Sequence, residues 1–459
     1  MSLRLKLLRF WHTRRPKSLS ATKIIAIVFA AIILAGTILL MLPAASRSGV
    51  SCGFRPALFT ATSATCVTGL ILFDTWTQWS GFGQIVILCL IEIGGLGFMS
   101  AAALVVFTLR RKVGLKQRLV MAQALSVDDM NGVVHLQKTV LLGSLGIQFV
   151  GAVILFLRFL PEHGLWRAFR WGIFHSVSAF CNAGFDIFGA VAPDASISYL
   201  NHDPVVLVTV MLLITLGGLG FFVWEEVVRL HSWKRFSAYT KLVLLASLVL
   251  TLSGAVFFLI LEWNNPATLG AMPVWQKLLN AMFQSVTLRT AGFASIDQGG
   301  LTEAGKAVSV VYMLIGGSSG STAGGLKTVT VVVLLLFMWT RIRGKSTVAV
   351  YRHTIPNSKV MDAVTIITIV AGLCIFGSIF ITVTSPVNYV DALYEAASAL
   401  ATVGNTTGAT RLLSVPAQLM IIVYMYFGRV GVLTLSLGFL MGNRAEDRFH
   451  YAETNLLIG

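Results

Sequence analysis

Charged residues are scarce in this chain of 459 residues: only 12% are Asp, Glu, Lys or Arg, whereas 56% are hydrophobic. Soluble domains carry about a quarter charged residues, so the composition excludes a string of soluble domains and is typical of a membrane protein. Acidic residues are the scarcer charged class, with 19 against 35 basic residues. In a membrane protein this basic excess indicates cytoplasmic loops, so we expect no nucleic-acid partner.

Cysteine is also rare. The five cysteines are odd in number and show no CxxC spacing, which argues against a disulfide framework and a zinc site. The sequence has no HExxH motif, and its acidic residues lie mostly outside the apolar runs, so a membrane-embedded hydrolase or transferase is disfavoured. It has no GxGxxG motif on a strand–helix unit. We therefore expect a protein that is not an enzyme and has no cofactor in this chain.

Long apolar runs are abundant. A transmembrane helix needs about 20 apolar residues, and eight stretches are long enough: 22–43, 82–109, 139–160, 204–228, 241–261, 306–340, 360–383 and 416–441. A shorter, semi-apolar segment lies between the first and second stretches, and likewise between the third and fourth, the fifth and sixth, and the seventh and eighth. Each segment is too short to cross a bilayer, which predicts re-entrant helices. These segments are 56–68, 168–183, 275–291 and 389–403.

Basic residues are concentrated in alternate links between the apolar runs. Of the 35, 24 fall in residues 1–23, 110–138, 229–241, 341–359 and the tail from 442. The positive-inside rule places these links in the cytoplasm. The sequence therefore predicts a multi-pass protein of the plasma membrane with both termini cytoplasmic.

The four short segments repeat one pattern. Each contains an aromatic residue, a small hydroxyl residue near its middle and a final glycine, and the glycines are 115, 108 and 112 residues apart. All four copies run in the same direction, unlike the inverted repeats of many carriers. The segments read FTATSATCVTG (59–69), FHSVSAFCNAG (174–184), FQSVTLRTAG (283–292) and YEAASALATVG (394–404).

Four like units in one membrane pack most simply around an axis. We predict an all-α polytopic membrane protein with eight spans, in which four span–pore helix–span repeats surround a pseudo-fourfold pore axis. The predicted boundaries are 1–21 (cytoplasmic basic N-terminus), 22–138 (repeat 1 and its cytoplasmic link), 139–240 (repeat 2), 241–359 (repeat 3), 360–442 (repeat 4) and 443–459 (cytoplasmic tail).

The turns that follow the short helices predict a cation pathway. Irregular backbone at membrane depth is tolerated only where it is buried in protein or lines a watery cavity. Four glycine turns facing one axis form a ring of carbonyl groups, which can replace the hydration shell of a monovalent cation. The negative ends of the four short helices point to the same place and also favour a cation.

These motifs resemble the Trk/Ktr/HKT superfamily of potassium transporters, and most closely its KtrB-type membrane subunits of bacterial Ktr uptake systems. The resemblance extends from about residue 22 to 442. It implies the ion-translocating subunit of a potassium uptake system. It is most specific in TSATCVTG (62–69), FHSVSAFCNAGFD (174–186), FQSVTLRTAGF (283–293), ATVGNT (401–406) and GGSSGSTAGGLKT (316–328).

The resemblance assigns the four glycine turns to a selectivity filter that binds potassium. Potassium-selective members keep all four glycines, as this chain does, whereas sodium-preferring plant members replace the first by serine. The four turns differ from one another and lack the TVGYG of potassium channels, so a sodium-conducting or weakly selective pore stays open as the alternative. The filter residues are Val67, Thr68 and Gly69; Asn182, Ala183 and Gly184; Thr290, Ala291 and Gly292; and Thr402, Val403 and Gly404.

A glycine-rich stretch interrupts the sixth apolar run. Each glycine costs roughly 1 kcal/mol in a helix relative to alanine, so five glycines in ten residues predict an irregular loop. The resemblance implies an intramembrane gate below the filter. Arg429, a cation in an apolar run, lies at the matching repeat position, which places it near the loop carbonyls. The loop residues are Gly316, Gly317, Ser318, Ser319, Gly320, Ser321, Thr322, Ala323, Gly324 and Gly325.

The resemblance also implies partners and a coupling ion. It implies a homodimer with one pore in each protomer, a cytoplasmic nucleotide-binding ring of KtrA type, and sodium as a coupling ion beside potassium. Among weaker signals, His175 is expected to be a structural histidine and Glu92 a packing hydrogen-bond partner. Whether Arg289 pairs with Glu395 in the adjacent short helix is left open.

Overall fold

The computed structural model describes residues 21–97 and 133–431. The predicted N-terminus, most of the 110–138 link, the ends of the second and eighth spans, and the 443–459 tail lie outside the described residues. The helices in chain order are α1 (Ala21–Met41), α2 (Phe54–Thr65), α3 (Thr75–Gln78), α4 (Gly81–Gly95), α5 (Val133–His163), α6 (Leu165–Phe180), α7 (Pro204–Leu219), α8 (Phe221–Leu230), α9 (Ala238–Glu262), α10 (Val274–Thr287), α11 (Glu303–Leu314), α12 (Thr328–Ile342), α13 (Asn357–Thr384), α14 (Tyr389–Leu400) and α15 (Val415–Tyr426).

Among the described residues, four single helices are long and apolar enough to cross a membrane. They are the first spans of the four repeats and lie in α1, α5, α9 and α13. About a third of each is buried inside the protein, so most of their surface faces outward. An apolar helix with this exposure is suited to lipid rather than to water.

A short helix follows each first span, as the sequence predicts. These pore helices are α2, α6, α10 and α14, and the most extensive helix–helix contacts in the described chain join each one to the first span of its own repeat. The aromatic residue that each repeat carries at its pore helix is buried, anchoring the helix to the interior. These aromatics are Phe59, Phe174, Phe283 and Tyr394.

The second spans are broken: the glycine-rich stretch predicted the break within 306–340, whereas the break within 204–228 was not predicted. The predicted span 204–228 is two helices, α7 and α8, bent by 96° at Gly220, whose φ of +95° is accessible to glycine at little cost. The predicted span 306–340 is α11 and α12 with a loop between them. The α4 helix ends at Gly95, and α15 runs into a π-helical stretch, Phe427–Gly431.

The remaining described connections are short. Five 3₁₀ turns occur at Pro43–Ala45, Phe188–Ala190, Ser198–Leu200, Trp233–Arg235 and Ala409–Leu412. The only regular strands in the described chain, β1 (Ala349–Val350) and β2 (His353–Thr354), form an antiparallel hairpin between α12 and α13. The described fold is therefore a helical ring whose irregular backbone is concentrated at its centre.

Candidate functional site

The same backbone turn follows each pore helix. Two residues before each repeat glycine, the chain adopts a left-handed conformation, with φ of +57° at Val67, +58° at Asn182, +67° at Thr290 and +51° at Thr402. The glycines themselves are also left-handed, with φ from +67° to +97°. Left-handed backbone costs an ordinary residue roughly 1–2 kcal/mol, so finding it at four equivalent positions indicates a built feature rather than chance.

The four glycines form a closed ring. At each glycine, an added Cβ would lie closer than 3.0 Å to the carbonyl oxygen that precedes the glycine of the next repeat. The ring runs through the repeats in the order one, two, three, four and back to one. The glycine and oxygen pairs are Gly69 with Ala183, Gly184 with Ala291, Gly292 with Val403, and Gly404 with Thr68.

Hydroxyl groups of the pore helices hold these turns in place. Ser63 and Ser398 accept hydrogen bonds at 3.0 Å from the backbone N–H groups of their repeat glycines. Ser178 and Thr287 instead donate at 2.7 Å to the carbonyl group of the phenylalanine that follows their glycine. The hydroxyl residue predicted near the middle of each segment therefore fixes the orientation of the turn backbone.

The ring is polar although it is deeply buried. The hydroxyl oxygens of Thr68, Thr290 and Thr402 are buried without a hydrogen-bond partner among the described residues. A buried hydroxyl group that lacks a partner is costly, and such groups at a functional site call for an ion or water to complete them. This chemistry is compatible with a dehydrated potassium ion, which is bound by neutral oxygen atoms.

An acidic cavity of about 450 Å³ opens onto one side of the ring. All four ring glycines line it, together with Asp74, Asp186, Asp194 and Asp297. Burial, with the Asp74 and Asp194 carboxylates nearby, raises the pKa of Asp186 to about 7. Arg411 forms an ion pair with Asp194, and the hydrogen-bonded guanidinium lowers the pKa of that carboxyl group. The charge of Asp194 is therefore neutralised by Arg411. The cavity therefore attracts cations toward the ring.

The glycine-rich loop 316–325 lies on the other side of the ring. The Thr322 hydroxyl group donates to the carbonyl oxygen of Phe180, at the end of the repeat 2 pore helix, at 3.0 Å. An added Cβ at Gly324 would clash with Thr402, and one at Gly325 would lie 3.1 Å from the Ala401 carbonyl oxygen, both in the turn of repeat 4. The loop thus starts from repeat 3 and touches the pore-helix ends of both neighbouring repeats.

Arg429 completes the enclosure of the loop. Its Nη1 atom donates to the carbonyl oxygen of Thr322, and its Nη2 atom donates to those of Gly94 and Gly95 at 2.6 and 3.0 Å. The side chain therefore joins repeats 1, 3 and 4. Lys327 turns back and donates to the Ala323 carbonyl group at 2.8 Å instead of extending away from the loop. Through these contacts the loop is tied to all four repeats, across the space that they enclose.

The break between α7 and α8 also holds the loop, which the sequence did not predict. The N–H groups of Ser318 and Thr322 donate to the carbonyl oxygens of Gly218 and Gly217, at 3.0 and 3.1 Å. The available signal was the LGGLGF motif at 216–221, because paired glycines leave carbonyl groups accessible to a neighbouring segment. The acidic cavity was also missed, since its aspartates are far apart in sequence.

His175 and Glu92 have structural roles. His175 stacks on Phe188 with ring centroids 3.7 Å apart, and its Nδ1 atom lies 2.7 Å from the Trp171 carbonyl oxygen, as expected of a structural histidine. Glu92 accepts hydrogen bonds from Gln148 at 3.1 and 3.3 Å, which agrees with a packing role.

The open question of an ion pair between Arg289 and Glu395 is answered in the negative. Arg289 donates to the Ser247 hydroxyl group at 3.0 Å. The Glu395 carboxylate accepts hydrogen bonds from the Thr406 and Thr410 hydroxyl groups and from the Thr407 N–H group. Local hydroxyl partners therefore replace the pairing of the two charges.

The chain is similar to known cation transport proteins along nearly its whole length. The TrkH family, described as "Cation transport protein", matches residues 4–446. The potassium/sodium uptake protein NtpJ of Enterococcus hirae is 40% identical over 449 residues, which cover 96% of this chain and 98% of that protein. The Ktr system potassium uptake protein B of Bacillus subtilis is 38% identical over 427 residues, covering 93% and 94%.

A solved structure shares the fold. The crystal structure of the potassium transporter TrkH from Vibrio parahaemolyticus aligns with a TM-score of 0.71 at 18% identity, covering 93% of this chain and 86% of that one. The prediction of four pore-helix repeats around one axis is confirmed by this likeness and by the ring of glycines.

Proposed function

This chain belongs to the TrkH family of cation transport proteins, and from that premise we propose that it is the membrane subunit of a potassium uptake system. The observation that carries the proposal is the closed ring of Gly69, Gly184, Gly292 and Gly404. A ring of backbone carbonyl groups at membrane depth selects a monovalent cation by replacing its hydration shell. The names of the relatives from Enterococcus hirae and Bacillus subtilis support potassium as the ion.

In this proposal the four turns act as the selectivity filter. The carbonyl groups of the residues in and before the glycines coordinate the ion, and the unpartnered threonine hydroxyl groups add oxygen ligands at the lower end. The pore helices direct their negative C-terminal ends toward the same point. Potassium is the transported ion, and the chain needs no cofactor of its own for this step.

The loop 316–325 acts as the gate. It lies beneath the filter, it is rich in glycine and small polar residues, and hydrogen bonds to three fixed elements hold it there. Because no helix runs through residues 316–325, the loop can leave the path by breaking these bonds without unfolding a helix. Arg429 is the anchor with the strongest bonds, since charge-assisted hydrogen bonds are roughly twice as strong as neutral ones.

A sodium-conducting or weakly selective pore is the second candidate. It is favoured by the different residues in the four filter turns and by the relative named as a potassium/sodium uptake protein. Sodium could therefore be a coupling ion, as the resemblance implies, or a competing substrate. Flux with each cation alone and with both together separates these cases.

The assembly is also part of the proposal. A KtrA-type cytoplasmic ring with nucleotide sites and a second copy of this chain are the expected partners, and the term "Ktr system" in the names of the relatives supports a multi-component assembly. The positive-inside rule puts both termini and the three basic links on the side where such a ring would bind.

Growth provides the functional test. A bacterium that lacks its own potassium uptake systems should grow at low potassium when it expresses this chain together with its regulatory subunit. The purified chain in vesicles should move potassium down its gradient. Movement of sodium alone, at undiminished rate when potassium is added, would contradict potassium uptake and support the second candidate.

The acidic cavity predicts a dependence on pH. As pH falls from about 8 to about 6, Asp186 takes up a proton, since its pKa is raised to about 7, and the cavity loses a negative charge. The half-saturating potassium concentration should therefore rise by about threefold. Asp186→Asn should raise this concentration and abolish its pH step, whereas Asp297→Asn should leave the step intact. Uptake kinetics across this pH range would count against the assignment if both variants kept the step.

A further inference from the structure

The α8 helix leaves the helical ring at membrane-interface depth. The bend of 96° at Gly220 turns α8 nearly perpendicular to α7. Ser247, on α9, accepts a hydrogen bond from Arg289, next to the filter, and Ser237, the residue just before α9, lies ten residues earlier. That spacing corresponds to about 15 Å, half the thickness of the hydrocarbon core. Glu226, on α8, accepts hydrogen bonds from the Ser237 N–H and hydroxyl groups at 2.6 and 2.7 Å. The α8 helix therefore lies at the depth of Ser237, near the edge of the hydrocarbon core.

The exposed residues of this segment suit a lipid interface. Phe222, Val227 and Val228 present apolar side chains to the outside, and Trp233 is 50% exposed just beyond the helix. Three exposed basic residues accompany them: Arg229, Lys234 and Arg235. An in-plane segment that combines apolar, tryptophan and basic residues is typical of helices that bind at the headgroup level, and its charge favours anionic lipids.

A groove for an acyl chain lies next to this segment. It has a volume of about 550 Å³, lies between α5 and α7, and is lined by apolar residues that include Gly143, Gly146 and Leu216. The Trp224 indole N–H donates to the carbonyl oxygen of Leu216 at 3.0 Å, so α8 is attached at the end of the groove. A phospholipid with its headgroup at α8 can therefore place an acyl chain against α7.

We propose that α8 and the groove form a binding site for an anionic phospholipid of the cytoplasmic leaflet. The basic residues at 229, 234 and 235 hold the headgroup, and the groove between α5 and α7 takes an acyl chain. The assignment to the cytoplasmic leaflet rests on the proposed orientation of the chain.

The site is connected to the loop 316–325. The N–H group of Phe221, the first residue of α8, donates to the Gly320 carbonyl oxygen at 2.8 Å. The Tyr239 hydroxyl group donates to the Ser319 carbonyl oxygen at 3.3 Å, and the Tyr239 ring packs edge-on against Phe222 with centroids 6.4 Å apart. A lipid that holds α8 in this position stabilises both anchors of the loop. Anionic lipid should therefore lower the rate of ion flux.

Lipid binding can be measured without relying on transport. Native mass spectrometry of the full chain, titrated with phosphatidylglycerol or phosphatidylcholine, should show that Arg229→Gln/Lys234→Gln/Arg235→Gln lowers the affinity for phosphatidylglycerol by about tenfold or more. The matched control, Arg341→Gln/Arg343→Gln/Lys345→Gln, removes three exposed basic residues from another link and should bind as the parent does. Gly146→Leu should weaken binding by filling the groove, where an added Cβ meets open space.

One result would overturn the site: the triple variant at 229, 234 and 235 binds phosphatidylglycerol as the parent does. If that variant also dissociates a dimer, the surface is a contact between copies. In vesicles with equimolar phosphatidylglycerol and phosphatidylcholine, the triple variant should conduct faster than the parent, and in pure phosphatidylcholine the two should be equal. A chain that binds the lipid but moves no cation would leave the site standing and refute the proposed transport function.

Discussion

Replacing Gly69 by serine should lower the ratio of potassium to sodium uptake by about tenfold or more. Gly69 has a φ of +96°, and an added Cβ would lie 2.6 Å from the carbonyl oxygen of Ala183. The serine must therefore displace that oxygen or twist its own backbone, at a cost of roughly 1–2 kcal/mol for the left-handed conformation alone. Either change moves a filter carbonyl group away from the ion, and the smaller, more strongly hydrated sodium competes better.

A matched substitution separates this effect from general damage. Gly372 lies in the first span of repeat 4, and an added Cβ there meets nothing within 4 Å. Gly372→Ser should leave the uptake ratio as in the parent. Uptake of both ions would be measured in vesicles by flame photometry or isotope flux. If Gly69→Ser folds and keeps the parental ratio, Gly69 is not part of the filter.

Replacing Arg429 by alanine should raise potassium flux by about tenfold, with little change in selectivity. The substitution removes three hydrogen bonds to carbonyl groups, one on the loop at Thr322 and two at the end of α4. A hydrogen bond to a charged group contributes about 1.5–3 kcal/mol, and a gap of a few kcal/mol is enough to shift a two-state gate. The loop should therefore spend more of its time out of the path.

Two further variants sharpen the gate experiment. Arg429→Lys keeps a positive charge but lacks the planar guanidinium group with which arginine reaches three carbonyl groups at once. The potassium flux of this variant should therefore lie between those of the parent and Arg429→Ala. Shortening the loop within 318–323 should raise flux at least as much as Arg429→Ala does. If the shortened protein folds and yet transports no faster than the parent, the loop is not a gate, and the stretch is only a kink that allows close packing.

The repeat pattern made most of the fold predictable. Residues 56–68, 168–183, 275–291 and 389–403 were identified as short helices because they are too short to span a bilayer and end in glycines at equal spacing. The structure has helices there that end four or five residues before each glycine. The glycine register also predicted the ring, because like units in a membrane have few ways to pack other than around an axis.

The breaks in the second spans could not be predicted in detail. Hydropathy treats 204–228 as one apolar run, but the position and size of the bend at Gly220 depend on contacts with the loop of another repeat. The same holds for Arg289: its partner is Ser247 on the preceding span rather than the acidic residue in the neighbouring pore helix. Such choices depend on long-range packing, which a single sequence does not encode in any local pattern.

The acidic cavity was beyond sequence reasoning for a related reason. Asp74, Asp186, Asp194 and Asp297 come from three repeats, and no spacing links them. Only the closure of the ring brings them together. Arg411 crosses from repeat 4 to pair with Asp194, so even the net charge of the cavity depends on tertiary structure.

The central claim is that cations pass through the ring of four glycines. The most direct measurement is X-ray diffraction from crystals of the protein grown with rubidium in place of potassium, because rubidium can be located by its anomalous scattering. The account predicts an anomalous peak on the axis, enclosed by the carbonyl groups next to Gly69, Gly184, Gly292 and Gly404. Ordered rubidium found only elsewhere in the protein, with the ring empty, would contradict it.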